Sequence, residues 1–373
     1  MLSPQDDFPI HQTAKPIAHP ATSDLNFYDR YWFSGLSRDG DFMFEIAQGM
    51  YPNRLVADAG FGISRSDGWQ HSLIASRRMH PNQRDTVVAP LRVEVLEPMR
   101  VVRVVVEPNE TGIEADLVFR ARGPALEEPP MLMYRDERLI METSRFTQFG
   151  MWEGFVVAGD QRTEVSAETC YGIRDRSWGV RPIGEFQPGV PPSPPSVFWM
   201  WAPSHFDDFC THFGIFEDPK GRRFYTNAAI APAWTPQSEF DIYSEEGTER
   251  VSRIEREIEW RKGTRRASRI VVTMYPDLDD PLTIEYLPKL VFQMQGIGYG
   301  HPEYGHGFWQ GEHAVHGFSE NVAEADPLVP AGIHVHQLCL TRSGDREGIG
   351  LCEQVVYGPH EPSGFKELLD GAE

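Results

Sequence analysis

The chain has few cysteines for its length. There are four in 373 residues, at positions 170, 210, 339 and 352, and none stands in C-x-x-C spacing. That spacing excludes an all-thiolate zinc site. Each of the four sits beside apolar or aromatic neighbours, as buried free thiols do. Long apolar runs are also missing: no window approaches the roughly 18 uninterrupted apolar residues of a membrane helix, so no membrane span is expected. The opening MLSPQDDFPIHQ lacks the basic segment and apolar run of a secretory signal. Together these features predict a reduced, cytoplasmic protein. Positive charge is scarce, with 35 Lys and Arg against 55 Asp and Glu and a net charge of −20. A phosphate backbone needs a basic face, so nucleic acid is excluded as a partner, and anionic membranes are disfavoured.

The familiar catalytic motifs are absent as well. There is no G-x-S-x-G elbow; Ser177 sits in D-R-S-W-G without the preceding glycine. The glycines between 296 and 311 neither follow a long apolar strand nor open a helix, so they form no dinucleotide or Walker loop. No histidine pair has the helical H-x-x-x-H spacing of a zinc protease.

What is present is turn chemistry. With 33 glycines, 30 prolines and 12% aromatics, the composition predicts many short strands separated by turns. Residues 91–96, 101–107 and 113–120 read as a three-strand meander. In the last of these, Ile113, Ala115, Leu117 and Phe119 face one way while Glu114 and Asp116 face the other, giving one dry and one wet face. Residues 1–22, polar and proline-bearing, read as an N-terminal arm, followed by a first domain over 23–186. Residues 187–196 (QPGVPPSPPS) carry five prolines and read as a stiff linker. A second domain over 197–373 repeats the strand-and-turn pattern. Within it, 251–261 fits both the strand and the helix period, and 365–369 reads as a short terminal helix.

The segment YGIRDRSWGVRP, residues 171–182, is the densest in chemistry. Buried unpaired charge is costly, so Arg174, Asp175, Arg176 and Arg181 around Trp178 imply a half-buried polar cluster at a strand end. Asp175 is then either an ion-pair partner of Arg174 or Arg181, or an acid–base group beside an aromatic wall. Six of the 13 histidines fall between His301 and His336. His334 and His336, two apart on a strand, share a face and could share a metal, with Glu312 as a further ligand. The reading adopted is of polar residues near a cavity with no bound metal. The glycines of 296–311 are expected to bend a strand from which His301, Tyr304, His306 and Trp309 project. Trp199, Trp201, Phe206, Phe209, Phe213 and Phe216 crowd the start of the second half.

RDRSWG followed by Arg181-Pro182 resembles the RDHSWGPR signature of the AttH-like and carotenoid 1,2-hydratase-like superfamily. Residues 146–165, 296–312 and 348–360 resemble its neighbouring strands, and the likeness extends over roughly residues 25–365. Arg176 stands where the family has histidine. The resemblance implies an all-β protein of two lipocalin-like antiparallel β-barrel or half-barrel domains packed together. It implies hydratase, dehydratase, cyclase or isomerase chemistry on a hydrophobic isoprenoid or aromatic molecule in a barrel cavity, without an organic cofactor. Asp175 would protonate an alkene or activate water, assisted by His301 or His306. Arg174, Trp178, Arg181, Trp199, Trp201, Tyr304 and Trp309 would contact the substrate. The alternative is a non-catalytic carrier of a lipophilic molecule; a homodimer is left open.

Overall fold

The glycine- and proline-punctuated runs fold almost wholly as antiparallel strands. The computed structural model describes residues 2–373 apart from 81, 83–84, 184–188, 191–192, 194, 235–240 and 278. Half of the expected linker therefore lies outside the described residues. Two sheets account for the strands. The first pairs, in spatial order, His313–Asn321, Trp69–Arg78, Val56–Arg65, Phe42–Tyr51, Phe27–Ser37, Cys170–Val180, Arg138–Ala158, Glu114–Glu127, Val101–Val106, Leu91–Glu97 and Val87–Val88. It curls into a half-barrel. The second runs Glu249–Arg250, Arg223–Pro232, Phe209–Glu217, Val197–Trp201, Arg346–Tyr357, His334–Ser343, Leu282–Gln293, Ala267–Tyr275 and Arg253–Trp260. The fold is thus the all-β, two-part lipocalin-like architecture expected. The predicted meander is present, and in Glu114–Glu127 the burial alternates as the residue pattern requires.

Three corrections concern local structure. Residues 253–260 form a strand, so the helical reading of 251–261 falls; pairing with Ala267–Tyr275 decides an ambiguous period. No helix forms at 365–369; a 3-10 turn at Glu361–Ser363 and a lone bridge between His360 and Phe365 stand there instead. After the short 3-10 helix Met294–Ile297, residues 298–312 form an irregular loop, not a bent strand. One strand crosses over: His313–Asn321, from the second half of the sequence, pairs along nine residues with Trp69–Arg78 of the first sheet.

Period-2 alternation gives each sheet two faces and produces three large cores beside a small cluster of Tyr28, Tyr51 and Val56. Phe33, Phe44, Phe61, Phe119 and Trp152, all fully buried, fill the first half-barrel. Phe198, Phe213, Ile270, Ile284 and Tyr286 fill the second. Trp32, Phe149, Ile173, Trp201, Phe292 and Leu338 form the third, between the sheets. Each such aliphatic or phenyl burial is worth roughly 2–3 kcal/mol, so the seam between the sheets is itself a core. No helix among the described residues is long and apolar enough to cross a membrane.

Candidate active site between the two sheets

A cavity of about 600 Å3 opens between the sheets and not inside either half-barrel, whose interior aromatics leave it filled. This corrects the expected barrel cavity. Strand register builds its walls. On the first sheet Asp175 lies opposite Trp32 and Ser177 opposite Arg30, while Arg145 pairs with Ser177 from the other side. On the second, His336 and Trp201 flank Glu353, and His334 and Trp199 flank Val355. All of these residues line the cavity. The loop 298–308 covers it with Tyr299, His301 and His306.

Alternation splits the signature strand, Cys170–Val180, in two. Asp175 and Ser177 face the cavity, whereas the side chains of Arg174, Arg176 and Trp178 leave on the opposite face. Arg174 donates through Nε to the Gln148 side-chain oxygen at 2.8 Å and lies over the rings of Phe119 and Phe146. Arg176 pairs with Asp29 and covers Tyr31 at 4.2 Å. The residue that replaces the family's histidine is therefore turned away from the cavity. Trp178 is 42% exposed, and Trp309, 46% exposed, lies under the Arg78 guanidinium. Tyr304 stacks on His316 at 3.8 Å. None of these four expected contacts (Arg174, Trp178, Tyr304, Trp309) lines the cavity; Asp175, Arg181, Trp199, Trp201, His301 and His306 do.

Asp175 forms neither of the ion pairs expected of it. Its nearest cation is Arg145, at 4.0 Å from Oδ2, and Oδ1 has no hydrogen-bond partner among the described residues. Burial raises its pKa, against the opposing pull of Arg145 and Arg30. Arg145 is occupied elsewhere. It forms a bidentate pair with Glu128, at 2.9 and 2.6 Å, and Glu128 also accepts from Thr147 and Tyr225. The Arg145 guanidinium lies 5.4 and 5.3 Å from the rings of Trp199 and Trp201. The arrangement leaves a buried carboxyl whose protonated form burial favours, with one oxygen unengaged.

The opposite wall carries a chain of hydrogen bonds. His336 Nδ1 lies 3.0 Å from Glu45, whose Oε1 also accepts from Ser34; His334 Nε2 lies 2.7 Å from Glu353, and the Trp199 indole donates to Glu353 at 2.7 Å. Burial works to lower the His336 pKa, but the neighbouring carboxylates of Glu45 and Glu353 raise it to about 9. Burial raises Glu45, so the Glu45–His336 pair keeps its proton. Glu353 resists burial and stays well below the usual range because both imidazoles lie beside it. Burial lowers the His334 pKa, so this ring is neutral. The ligand atoms of His334, His336 and Glu353 lie within 4.8 Å of one another. Two imidazoles and a carboxylate are a donor set suited to zinc or iron; here His334 Nε2 bonds to Glu353 and His336 Nδ1 to Glu45, while His336 Nε2, 3.5 Å from Glu353, has no hydrogen-bond partner among the described residues.

In the covering loop, His306 Nε2 lies 2.9 Å from the Ile297 carbonyl and so carries the proton. Its Nδ1 then accepts from Arg30 at 3.3 Å and Arg181 at 3.4 Å. Burial and the two guanidinium charges push the His306 pKa well down. Gly298, at φ +101°, makes this placement possible, since a Cβ there would sit 2.6 Å from the His306 ring. The geometry makes His306 a positioning residue for two arginines. His301 accepts the amides of Glu303 and Tyr304 on Nδ1, at 3.1 and 2.9 Å, leaving Nε2–H as a donor at the rim.

Arg30, Glu45, Arg145, Tyr299 and Glu353 were not among the expected site residues. The available signal was a lone charge inside an apolar strand run, as in MFEIA around Glu45 and LCEQVV around Glu353.

Fold and site together define a two-sheet, lipocalin-like protein with a cavity lined by titratable groups between its sheets. The chain belongs to a family of unknown function, DUF8625, whose pattern matches residues 2–366. No curated protein sequence matches it. Among solved structures it is similar to a putative AttH from Nitrosomonas europaea, with a TM-score of 0.56, 12% identity, and 93% of this chain and 98% of that one covered. It is also similar to kievitone hydratase from Nectria haematococca, with a TM-score of 0.51, 11% identity and 88% of each chain covered. CghA crystallised with Sch210972 is a third, with a TM-score of 0.51, 10% identity, and 89% and 88% covered. The expected AttH-like resemblance is borne out in the fold.

Proposed function

We propose that the protein is a hydratase, dehydratase, cyclase or isomerase that works by acid–base chemistry on an isoprenoid or aromatic small molecule held between its sheets. The observation that carries this reading is Asp175: buried, raised in pKa, and with Oδ1 unengaged in a wall of the cavity. Asp175 gives its proton to one carbon of an alkene. Trp199 and Trp201 face the positive charge that develops. Water attacks the cation, or in a cyclisation a second alkene attacks it and the new cation loses a proton from a neighbouring carbon. The proton released goes to neutral His334, which Glu353 orients as a carboxylate orients a catalytic imidazole. The structural likeness to kievitone hydratase is compatible with this scheme. A pure carrier has no use for Asp175, His334, His336 and Glu353 around one cavity, and they weigh against that alternative. Four unpaired, buried thiols support a reducing compartment such as the cytoplasm.

The test incubates wild type and Asp175→Asn with a library of prenylated phenols and linear isoprenoids, followed by mass spectrometry. Wild type should give a product that gains or loses one water, or keeps its mass at a new retention time. Asp175→Asn should still bind that compound and leave it unchanged. Binding without conversion by wild type would establish the carrier instead. Stoichiometric zinc or iron in the purified protein would move the chemistry to His334, His336 and Glu353.

A further inference from the structure

Several arginines of this protein are buried, and each of Arg65, Arg122 and Arg265 donates to at least two backbone carbonyls. Arg30 and Arg181 differ. Arg30 is 2% exposed, and its only side-chain hydrogen bond among the described residues goes to His306 Nδ1. Among the described residues Arg181 has the same single partner. The Nε of each is buried with nothing to donate to. No described carboxylate forms an ion pair with either; Asp58, which interacts with both at longer range, is held by Tyr51 and the Gly307 amide. Both guanidiniums line the cavity, and both lie against aromatic rings, Arg30 over Tyr299 at 4.5 Å and Arg181 over Tyr28 at 4.6 Å. A buried guanidinium without a counter-charge costs several kcal/mol; two converging on one neutral imidazole form a fork that lacks its anion.

We infer that Arg30 and Arg181, aligned by His306, form an oxyanion subsite, so that the molecule bound between the sheets is an apolar body carrying one planar, delocalised oxyanion, a carboxylate or an enolate. The chemistry follows from the two walls. The arginines fix the anionic end beneath the loop, and the tryptophans take the apolar body. The inference rests on the reading of this cavity as the ligand site, and it names the substrate class for that site.

The probes are 1-naphthoate and its neutral counterpart 1-naphthalenemethanol, titrated into the full-length protein and followed by quenching of tryptophan fluorescence. Wild type should hold naphthoate at least about tenfold more tightly than the alcohol, a difference of about 1.4 kcal/mol. Arg30→Gln and Arg181→Gln should each bring the two affinities to within about threefold, chiefly by weakening naphthoate. Arg176→Gln, on the other face of the strand, should leave the gap intact. If Arg30→Gln does not fold, the half-buried Arg181→Gln carries the same comparison. Equal affinities in wild type, failure of both probes to bind, or a gap that survives both cavity substitutions would overturn the subsite. The enzyme reading is tested separately by turnover: a protein that prefers naphthoate yet converts nothing keeps the subsite and loses the catalyst, and the reverse result keeps the catalyst alone.

Discussion

Arg122 and Arg30 are buried to much the same degree, 5% and 2% exposed, and each contacts one histidine and one tyrosine ring. Arg122 lies 3.4 Å from His205 Nδ1 and over Tyr171; Arg30 lies 3.3 Å from His306 Nδ1 and over Tyr299. The two trios differ in what surrounds them. Arg122 also donates to the carbonyls of Phe206 and Asp207 at 2.8 and 2.7 Å. Arg30 has no such acceptor and faces the cavity. The same three residue types therefore make a structural clamp in one place and a ligand-facing group in the other. The deciding feature is the count of satisfied polar atoms, which no motif carries.

Three substitutions probe this contrast. Arg122→Met strands two buried carbonyls and should cost on the order of 4 kcal/mol in urea unfolding; a loss under about 1 kcal/mol would mean that the clamp is ornamental. A third histidine of the between-sheet region supplies the next effect. His212 is fully buried, neither ring nitrogen has a partner, and burial lowers its pKa to about 4 despite the pull of Glu128. The unfolded chain takes up that proton near pH 6.5 and the folded chain only near 4, so the stabilising contribution is complete above 6.5 and lost as the pH falls toward 4. His212→Gln does not titrate, and its stability relative to wild type should rise by about 3 kcal/mol between pH 7 and pH 4. A constant gap across that range would show that His212 is not titrating in this way. The smallest effect belongs to Arg30→Met. Replacing an uncompensated buried charge with an apolar chain should leave stability within about 1 kcal/mol of wild type, or raise it. A large loss would mean that Arg30 is a clamp like Arg122.

The sequence carried the fold further than the site. Alternation in 113–119 and the likeness around Asp175 led to the right architecture, because a two-residue period and a charged strand end are local properties. Asp175, Arg181, Trp199, Trp201, His301 and His306 line the cavity between the sheets. Arg174 and Trp178 do not, although the same period already places them on the opposite face from Asp175: nearness in sequence was taken for nearness in space. The loop 298–312 was misread because glycine at irregular intervals relieves strain in a loop as readily as it bends a strand. Arg30, Glu45 and Glu353 depend on strand register and on packing between the sheets that brings together residues 291 apart, and no local pattern encodes that.

The crossing strand His313–Asn321 has a consequence in time. A ribosome adds about 5–20 residues per second, and roughly 230 residues separate Arg78 from His313, so the edge strand Trp69–Arg78 emerges on the order of ten seconds or more before its partner exists. Until then the first sheet has an open row of backbone donors and acceptors, the kind of edge that recruits strands from other chains. The strand that covers this edge is thus made long after the edge itself, and the nascent chain carries the edge open for that interval.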